Sequence, residues 1–445
     1  MAPARPTPAR LTVLGTGYLG TTHAACLAEL GYDVLAMDVD AAKIDALSAG
    51  RLPIYEPGLP EMLDRALASG RLRFTTSYQD VADFGDVHFL CVGTPQQAGS
   101  NAADVSYVEA VVEGLAPLLT RETLVVGKST VPVGTAPRLA TRIAELAPIG
   151  PGAELAWNPE FLREGHAVAD TLHPDRLVVG VGGPRAEGVL RAVYAPLLDA
   201  GVPIVVTDYA TAELVKSAAN AFLATKISFI NAMAELCEAA GADVVELAEA
   251  LAHDDRIGGQ FLQAGLGFGG GCLPKDIRAF IARAGELGVD QAVMFLRDVD
   301  EINLRRRARM VELTREVLDG TLIGHRVAVW GAAFKPNSDD VRDSPALHVA
   351  GELSLAGAQV RVYDPQAMTN AAQIFPSLEY VESASAAARD ADAVLHLTEW
   401  REFADVAPEE LATLVRRRVI VDGRNTLDPL RWRAAGWTYR ALGRP

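Results

Sequence analysis

The sequence is poor in cysteine, lacks any long apolar run and has no excess of positive charge, and each lack excludes something. Four cysteines in 445 residues, Cys26, Cys91, Cys237 and Cys272, are too few and too scattered for a disulfide framework. None forms a Cys-x-x-Cys pair, so a zinc site of that type has no support and a reducing compartment is expected. No run of about 18 apolar residues occurs, which argues against a transmembrane helix. Met1 to Arg10 is mostly Pro, Ala and Arg without an apolar centre, so no signal peptide is read there and a cytoplasmic location is expected. Lys plus Arg is 41 against 57 for Asp plus Glu, a net charge of −16. That balance argues against nucleic-acid or membrane partners, and any anionic ligand has to be held by local basic groups and backbone N–H donors.

What is present is globular. Apolar residues make up 49% and charged residues 22%, ordinary for a folded protein, while the length exceeds the roughly 250–300 residues one core supports. Two or three domains are expected. The strand-like Leu11-Thr-Val-Leu14 enters a turn with glycines at 15, 17 and 20, followed by a helical stretch that ends at Gly31. A second strand, Asp33 to Asp38, ends in an acid. Gly15 suits a tight turn, Gly17 lets a pyrophosphate approach the backbone, and Gly20 lets helix and strand pack closely. The helix N-terminus offers N–H donors to phosphate, and Asp38 would accept from a ribose diol, favouring NAD over NADP. A glycine-rich turn without a ligand is the plain alternative.

Further strands at Asp86–Val92 and Thr123–Thr130, with a helical stretch at Tyr107–Leu119 between them, predict a parallel sheet with Thr94 and Thr130 on its ligand-side loops. A weaker echo follows at Arg326–Gly331, Ala358–Asp364 and Asp392–Leu397, where Gly331-Ala-Ala-Phe-Lys335 replaces the glycine triplet. Ala210–Ala240 contains no Gly or Pro and reads as one helix of roughly 45 Å. The predicted fold is α/β, two doubly wound Rossmann-like domains joined by a long central helix. The expected boundaries are 1–208, 209–310 and 311–445.

The stretch Gly265-Leu-Gly-Phe-Gly-Gly-Gly-Cys272-Leu-Pro-Lys-Asp276 carries the most chemistry. Its glycines can wrap a ligand, Pro274 suits the first turn of a helix, and Cys272 falls at that helix's N-terminus, where the dipole favours thiolate. A buried structural cysteine is the alternative. Asp276 lies one helical turn further on. Lys216 and Asn220, four apart on the long helix, could both donate to a developing oxyanion; taken alone, such a pair is more often a solvated or interhelical contact. In Asn158-Pro-Glu160-Phe-Leu-Arg163-Glu164-Gly165, two carboxylates flank an arginine, a pattern also met in caps and salt bridges.

These segments, with Gly15-Thr-Gly-Tyr-Leu-Gly20, Ser129-Thr-Val-Pro-Val-Gly-Thr135, His173-Pro-Asp-Arg-Leu-Val-Val-Gly180 and Phe334-Lys-Pro-Asn-Ser-Asp-Asp-Val-Arg-Asp-Ser-Pro345, occur in the order found in one family. From Leu11 to about Arg431 the chain resembles the UDP-glucose/GDP-mannose dehydrogenase family. The resemblance implies oxidation of a sugar C6 alcohol to a carboxylate with two NAD, through a thiohemiacetal and a thioester on Cys272. It implies that Lys216 and Asn220 stabilise oxyanions, that Glu160 and Asp276 handle protons, and that Thr130 orients water. For NAD it implies Gly15, Gly17, Tyr18, Leu19, Gly20, Asp38, Lys43, Thr94, Thr130, Glu164 and Arg342.

For the sugar nucleotide the resemblance implies Glu160, Phe161, Leu162, Arg163, Lys216, Asn220, Phe261, Phe268 and Gly269. Lys335 and Arg424 resemble diphosphate contacts. Arg256 resembles a residue that reaches the neighbouring subunit's site, so a homodimer is expected. The segments at Asp254–Leu262 and His173–Leu177 are more similar to the UDP-glucose branch, with the GDP-mannose branch as the alternative. A non-catalytic NAD- and nucleotide-sugar sensor is the alternative of another class; Cys272, Lys216 and Asn220 argue against it. The chain departs from many relatives at Gly271, where they carry Ser, and Gln263 leaves a substrate contact there open.

Overall fold

The computed structural model describes residues 9–445, so the signal-peptide reading falls largely outside the described residues. They form two compact units, 9–219 with 278–283, and 220–277 with 284–445.

The first unit is built on strands β1 (Leu11–Leu14), β2 (Val34–Met37), β3 (Leu72–Thr75), β4 (Val87–Leu90), β5 (Thr123–Gly127), β6 (Ala153–Trp157), β7 (Leu177–Val181) and β8 (Ile204–Thr207). Their order in the sheet is β3-β2-β1-β4-β5-β6-β7-β8. β1 to β6 run parallel, as expected. β7 is antiparallel to β6 and β8 runs parallel to β7, so the sheet is mixed at one side rather than wholly parallel. Alternate strand residues feed two cores: Val13, Val34, Phe89 and Val126 on one face, Leu14, Leu35, Leu90 and Val125 on the other. Both faces are apolar because helices cover both, which is why these strands read as near-continuous hydrophobic runs.

The second unit repeats the plan with β9 (Arg326–Trp330), β10 (Gln359–Tyr363), β11 (Glu379–Tyr380), β12 (Ala393–His396), β13 (Val419–Asp422) and β14 (Thr438–Ala441). All pairs are parallel, in the order β11-β10-β9-β12-β13-β14. Its core centres on Trp330 stacked on Phe403, ring centroids 5.4 Å apart. In both sheets chain order reverses beside the first strand, the topological position at which α/β sheets bind ligands beyond their strand C-termini.

The predicted long helix is continuous from Tyr209 to Ala240. The helix expected after the glycine loop runs Leu273–Glu286, and a third long helix runs Phe295–Val317. No helix of the described residues is long and apolar enough to cross a membrane.

Candidate active site

In the first unit the glycine turn leaves β1 and enters the first helix (Tyr18–Glu29) at once. Gly15 has φ +93°, and a Cβ on Gly20 would run into the Gly15 carbonyl, so the turn closes only without side chains there. A Cβ on Gly17 would meet nothing within 4 Å, and no side chain caps the helix that follows. An open cradle at an uncapped helix N-terminus fits a pyrophosphate. Leu19 packs into the core.

Asp38, at the end of β2, accepts from Thr16 N–H and Oγ1 at 2.9 Å and from Lys43 Nζ at 2.9 Å. Burial pulls its carboxyl up, but these bonds outweigh it and hold the group below the usual carboxylate range. It is an anion beside the turn, as a ribose diol acceptor should be, and the whole turn fits NAD. Thr94 Oγ1 donates to the Thr130 carbonyl at 2.7 Å, joining the loops after β4 and β5. The chain beyond Thr130 is pinned by Glu213 of the long helix. Its carboxylate accepts from Gly134 N–H at 2.7 Å and Ala136 N–H at 2.6 Å.

The Asn158–Gly165 segment follows β6. Lys216 is 5% exposed, and its Nζ lies 3.1 Å from Glu160 Oε1 and 5.5 Å from the Phe161 ring centre. Glu160 Oε2 also accepts the Leu162 N–H at 2.6 Å. Arg163 forks onto Asp170 at 2.6 and 3.0 Å. Burial first and Glu56 next raise the Tyr18 phenol's pKa, and the charge of nearby Glu164 adds to them. Glu160 and Lys216, not paired by any pattern in the sequence, thus form an ion pair with the lysine buried.

Three neighbours had gone unnoticed in the sequence. Arg176 lies over the Phe161 ring, 3.9 Å from its centre; its segment carried part of the family resemblance, but nothing in its spacing pointed at an aromatic face. Lys128, buried, donates to Asn158 Oδ1 at 3.0 Å, and Tyr194 Oη donates to the same oxygen at 2.5 Å. Burial holds the Lys128 amine below its usual range, with Lys216 adding to the effect. The third is Glu56, taken up below.

In the second unit Cys272 is exposed and directly precedes the helix Leu273–Glu286. Asp276, one turn in and 4% exposed, accepts from Asn220 Nδ2 at 2.7 Å and Lys275 Nζ at 2.6 Å. The glycine loop before it is anchored by Asn303, which takes the Phe268 N–H at 2.7 Å and returns a bond to the Phe268 carbonyl at 2.9 Å. Arg307, buried, adds a bond to the same carbonyl. A Cβ on Gly269 would strike the Asp343 carbonyl, and one on Gly271 would take the place of the Arg342 guanidinium. Gly271 thus leaves room for the Arg342 guanidinium, which also forks onto Asp340.

Arg424 is more committed than expected: its guanidinium donates to the carbonyls of Leu397, Gly267 and Phe334 at 2.7, 3.2 and 3.0 Å. Lys335 lies over the Phe334 ring, 5.4 Å from its centre. Arg256 is 89% exposed and pairs with Asp254, and Phe261 takes a left-handed φ of 64°. Neither joins the cysteine cluster through a hydrogen bond between side chains among those described. Among the described residues no group of three His, Cys, Asp or Glu side chains is placed to hold a metal ion.

Comparison with known proteins gives one family along the chain. Residues 9–198 match the UDP-glucose/GDP-mannose dehydrogenase family NAD binding domain, 210–305 its central domain and 328–429 its UDP binding domain. The UDP-glucose 6-dehydrogenase of Rhizobium meliloti is 41% identical over 438 residues, covering 98% of this chain and 100% of that protein. YwqF of Bacillus subtilis, also named a UDP-glucose 6-dehydrogenase, is 40% identical over 98% of this chain and 97% of its own. A UDP-glucose dehydrogenase structure from Pyrobaculum islandicum superposes with a TM-score of 0.91 at 40% identity, covering 100% of both chains.

Proposed function

The chain belongs to the UDP-glucose/GDP-mannose dehydrogenase family and is an NAD-dependent oxidoreductase, and on that premise we propose that it oxidises the C6 alcohol of UDP-glucose to the carboxylate of UDP-glucuronate. The relatives' names and the match to a UDP binding domain support the substrate. The observation that carries the chemistry is Cys272, exposed at a helix N-terminus and one turn from Asp276, which is bonded to Asn220. Bound NAD supplies the acceptor for each of the two hydrides that leave C6.

The first oxidation yields an aldehyde, which has no further hydride to lose until a nucleophile makes its carbon tetrahedral. Cys272 thiolate adds to that carbon, forming a thiohemiacetal; its oxidation gives a thioester, and water releases the acid. Lys216 and Asn220 donate to the oxyanions. Glu160 and Asp276 move the protons, each already held by a cation, Lys216 and Lys275. Thr130 and Glu164 orient the water. Phe161, Leu162, Arg163, Phe261, Phe268 and Gly269 line the sugar nucleotide, and Lys335 and Arg342 supply positive charge to diphosphates. Arg424 shapes that wall by holding Gly267 and Phe334. The segment 209–310 carries the cysteine loop and the contacts between subunits. Phe222, Phe229 and Leu236, exposed at seven-residue spacing on the long helix, form an apolar stripe suited to a second copy. In such a homodimer Arg256 serves the neighbouring site, and the enzyme works in the cytoplasm.

The test is stoichiometry. Each UDP-glucose should yield two NADH and one UDP-glucuronate, and Cys272→Ser should make no acid while still binding the sugar nucleotide. One NADH per sugar with release of aldehyde from the parent protein would overturn the reading. Preferential turnover of GDP-mannose would move the substrate to the other branch, and no NADH from any sugar nucleotide would favour a sensor.

A further inference from the structure

Glu56 is 1% exposed in the first unit, and neither the dinucleotide turn nor the proposed chemistry uses it. Its Oε2 accepts the Gly165 N–H at 2.7 Å and its Oε1 the Ala167 N–H at 2.7 Å. The Tyr18 hydroxyl donates to the same carboxylate and itself accepts from Gly165 N–H at 2.9 Å. A buried carboxylate is tolerated because three donors satisfy it. Burial and the Glu56 charge both push the Tyr18 phenol upward, so it remains a donor.

What these bonds join is specific. Tyr18 opens the first helix, at the dinucleotide turn. Gly165 and Ala167 close the segment that carries Glu160, Phe161, Leu162, Arg163 and Glu164, which holds no helix or strand. Several of its N–H groups go to carboxylates instead: Leu162 to Glu160, Arg163 to Asp170, Gly165 and Ala167 to Glu56. A loop without ladder bonds is as ordered as the side chains that staple it.

We propose that Glu56 is a positioning residue that latches the 158–166 loop to the dinucleotide turn through Tyr18, keeping Glu160 and Glu164 in register with bound NAD. The proposal rests on that loop being the substrate loop of the proposed reaction.

The test uses Glu56→Gln and Tyr18→Phe in the full chain, with three readouts: turnover of UDP-glucose, NADH affinity by fluorescence, and amide exchange over residues 160–167 with NADH alone. Glu56→Gln sets an amide NH2 against a backbone N–H. It should lower kcat on the order of 10²-fold, the scale of a misplacement of about 1 Å, with NADH affinity little changed and exchange at Gly165 and Ala167 faster. Tyr18→Phe keeps the two backbone bonds and should show the losses in turnover and in exchange protection more weakly; because Tyr18 itself sits at the dinucleotide turn, its NADH affinity is no criterion. Parent-like turnover and exchange in Glu56→Gln would overturn the proposal, as would loss of NADH affinity in step with turnover, the mark of a general folding role. If Glu56→Gln does not fold, Tyr18→Phe decides by turnover and exchange: parent-like values of both would overturn the proposal. If the parent protein does not oxidise UDP-glucose, the functional reading fails, yet the exchange measurement with NADH alone still decides the latch.

Discussion

The two sheets share one strand plan and put the same residue at the same place for different ends. Asp38 closes β2 and Asp364 follows β10, each the second strand of its sheet. Asp364 is 1% exposed and fully engaged: Ala332 N–H, Ala333 N–H and Trp400 Nε1–H donate to Oδ2 at 2.8 to 3.1 Å, and Gln366 and Ala367 N–H to Oδ1 at 2.9 Å. Asp38 takes one N–H from its turn, that of Thr16, and keeps a partly exposed edge beside Lys43. The turns differ to match. β1 passes straight into a helix at Tyr18, whereas after β9 the next helix waits until Pro345. In the second unit the turn's N–H groups serve the fold, and the intervening loop carries Lys335 and Arg342. A strand-terminal acid therefore signals a ribose site only where its turn has been left open.

The largest expected contrast lies in these two acids. Asp364→Asn should cost about 3 kcal/mol in urea unfolding, since it leaves buried donors without their acceptor. Asp38→Asn should cost less in unfolding than Asp364→Asn, since its acceptors serve fewer buried donors, but should weaken NAD binding about tenfold, the worth of one charged hydrogen bond. Equal stability losses would dissolve the distinction. Next come the glycines: Gly20→Ala should abolish tight NAD binding through its clash with the Gly15 carbonyl. Gly331→Ala, at φ +110° and against Thr398, should lower the melting temperature and leave NAD affinity intact.

The smallest effect is on pH dependence. Burial, with Arg121 nearby, pushes His88 down to about 3, and burial also lowers His23. Both stay neutral in the folded first unit, while the unfolded chain takes up protons below about 6.5. Stability should thus be full above that value and fall as pH drops through it, by up to about 1.4 kcal/mol per unit for each histidine. Urea unfolding at pH 7.5, 6.5 and 5.5 measures the slope, and His88→Asn should flatten it; an unchanged slope would place the acid sensitivity elsewhere.

Much of this was legible in the chain. The glycine turn with Asp38, the uninterrupted helix over 210–240 and the cysteine loop ahead of Pro274 all declare themselves by local rules of backbone conformation and capping. The antiparallel β7 was not legible, because a buried strand reads the same in either direction. Nor could spacing reveal Glu56, Lys128 or Asn303, whose partners are backbone groups or amides remote in the chain. Arg424 shows the same limit. Three carbonyls from separate segments hold its guanidinium, and only the folded backbone brings them there.

The burial of three cysteines has a consequence for handling the protein. Burial raises Cys26 and Cys91 to about 12 and lifts Cys237 above its usual value, whereas Cys272 is exposed. At pH 8 a thiol of pKa 12 is ionised to about one part in 10⁴. A thiol-alkylating reagent therefore meets one exposed thiol among the described residues, so that one adduct per chain is expected, and it should sit on Cys272.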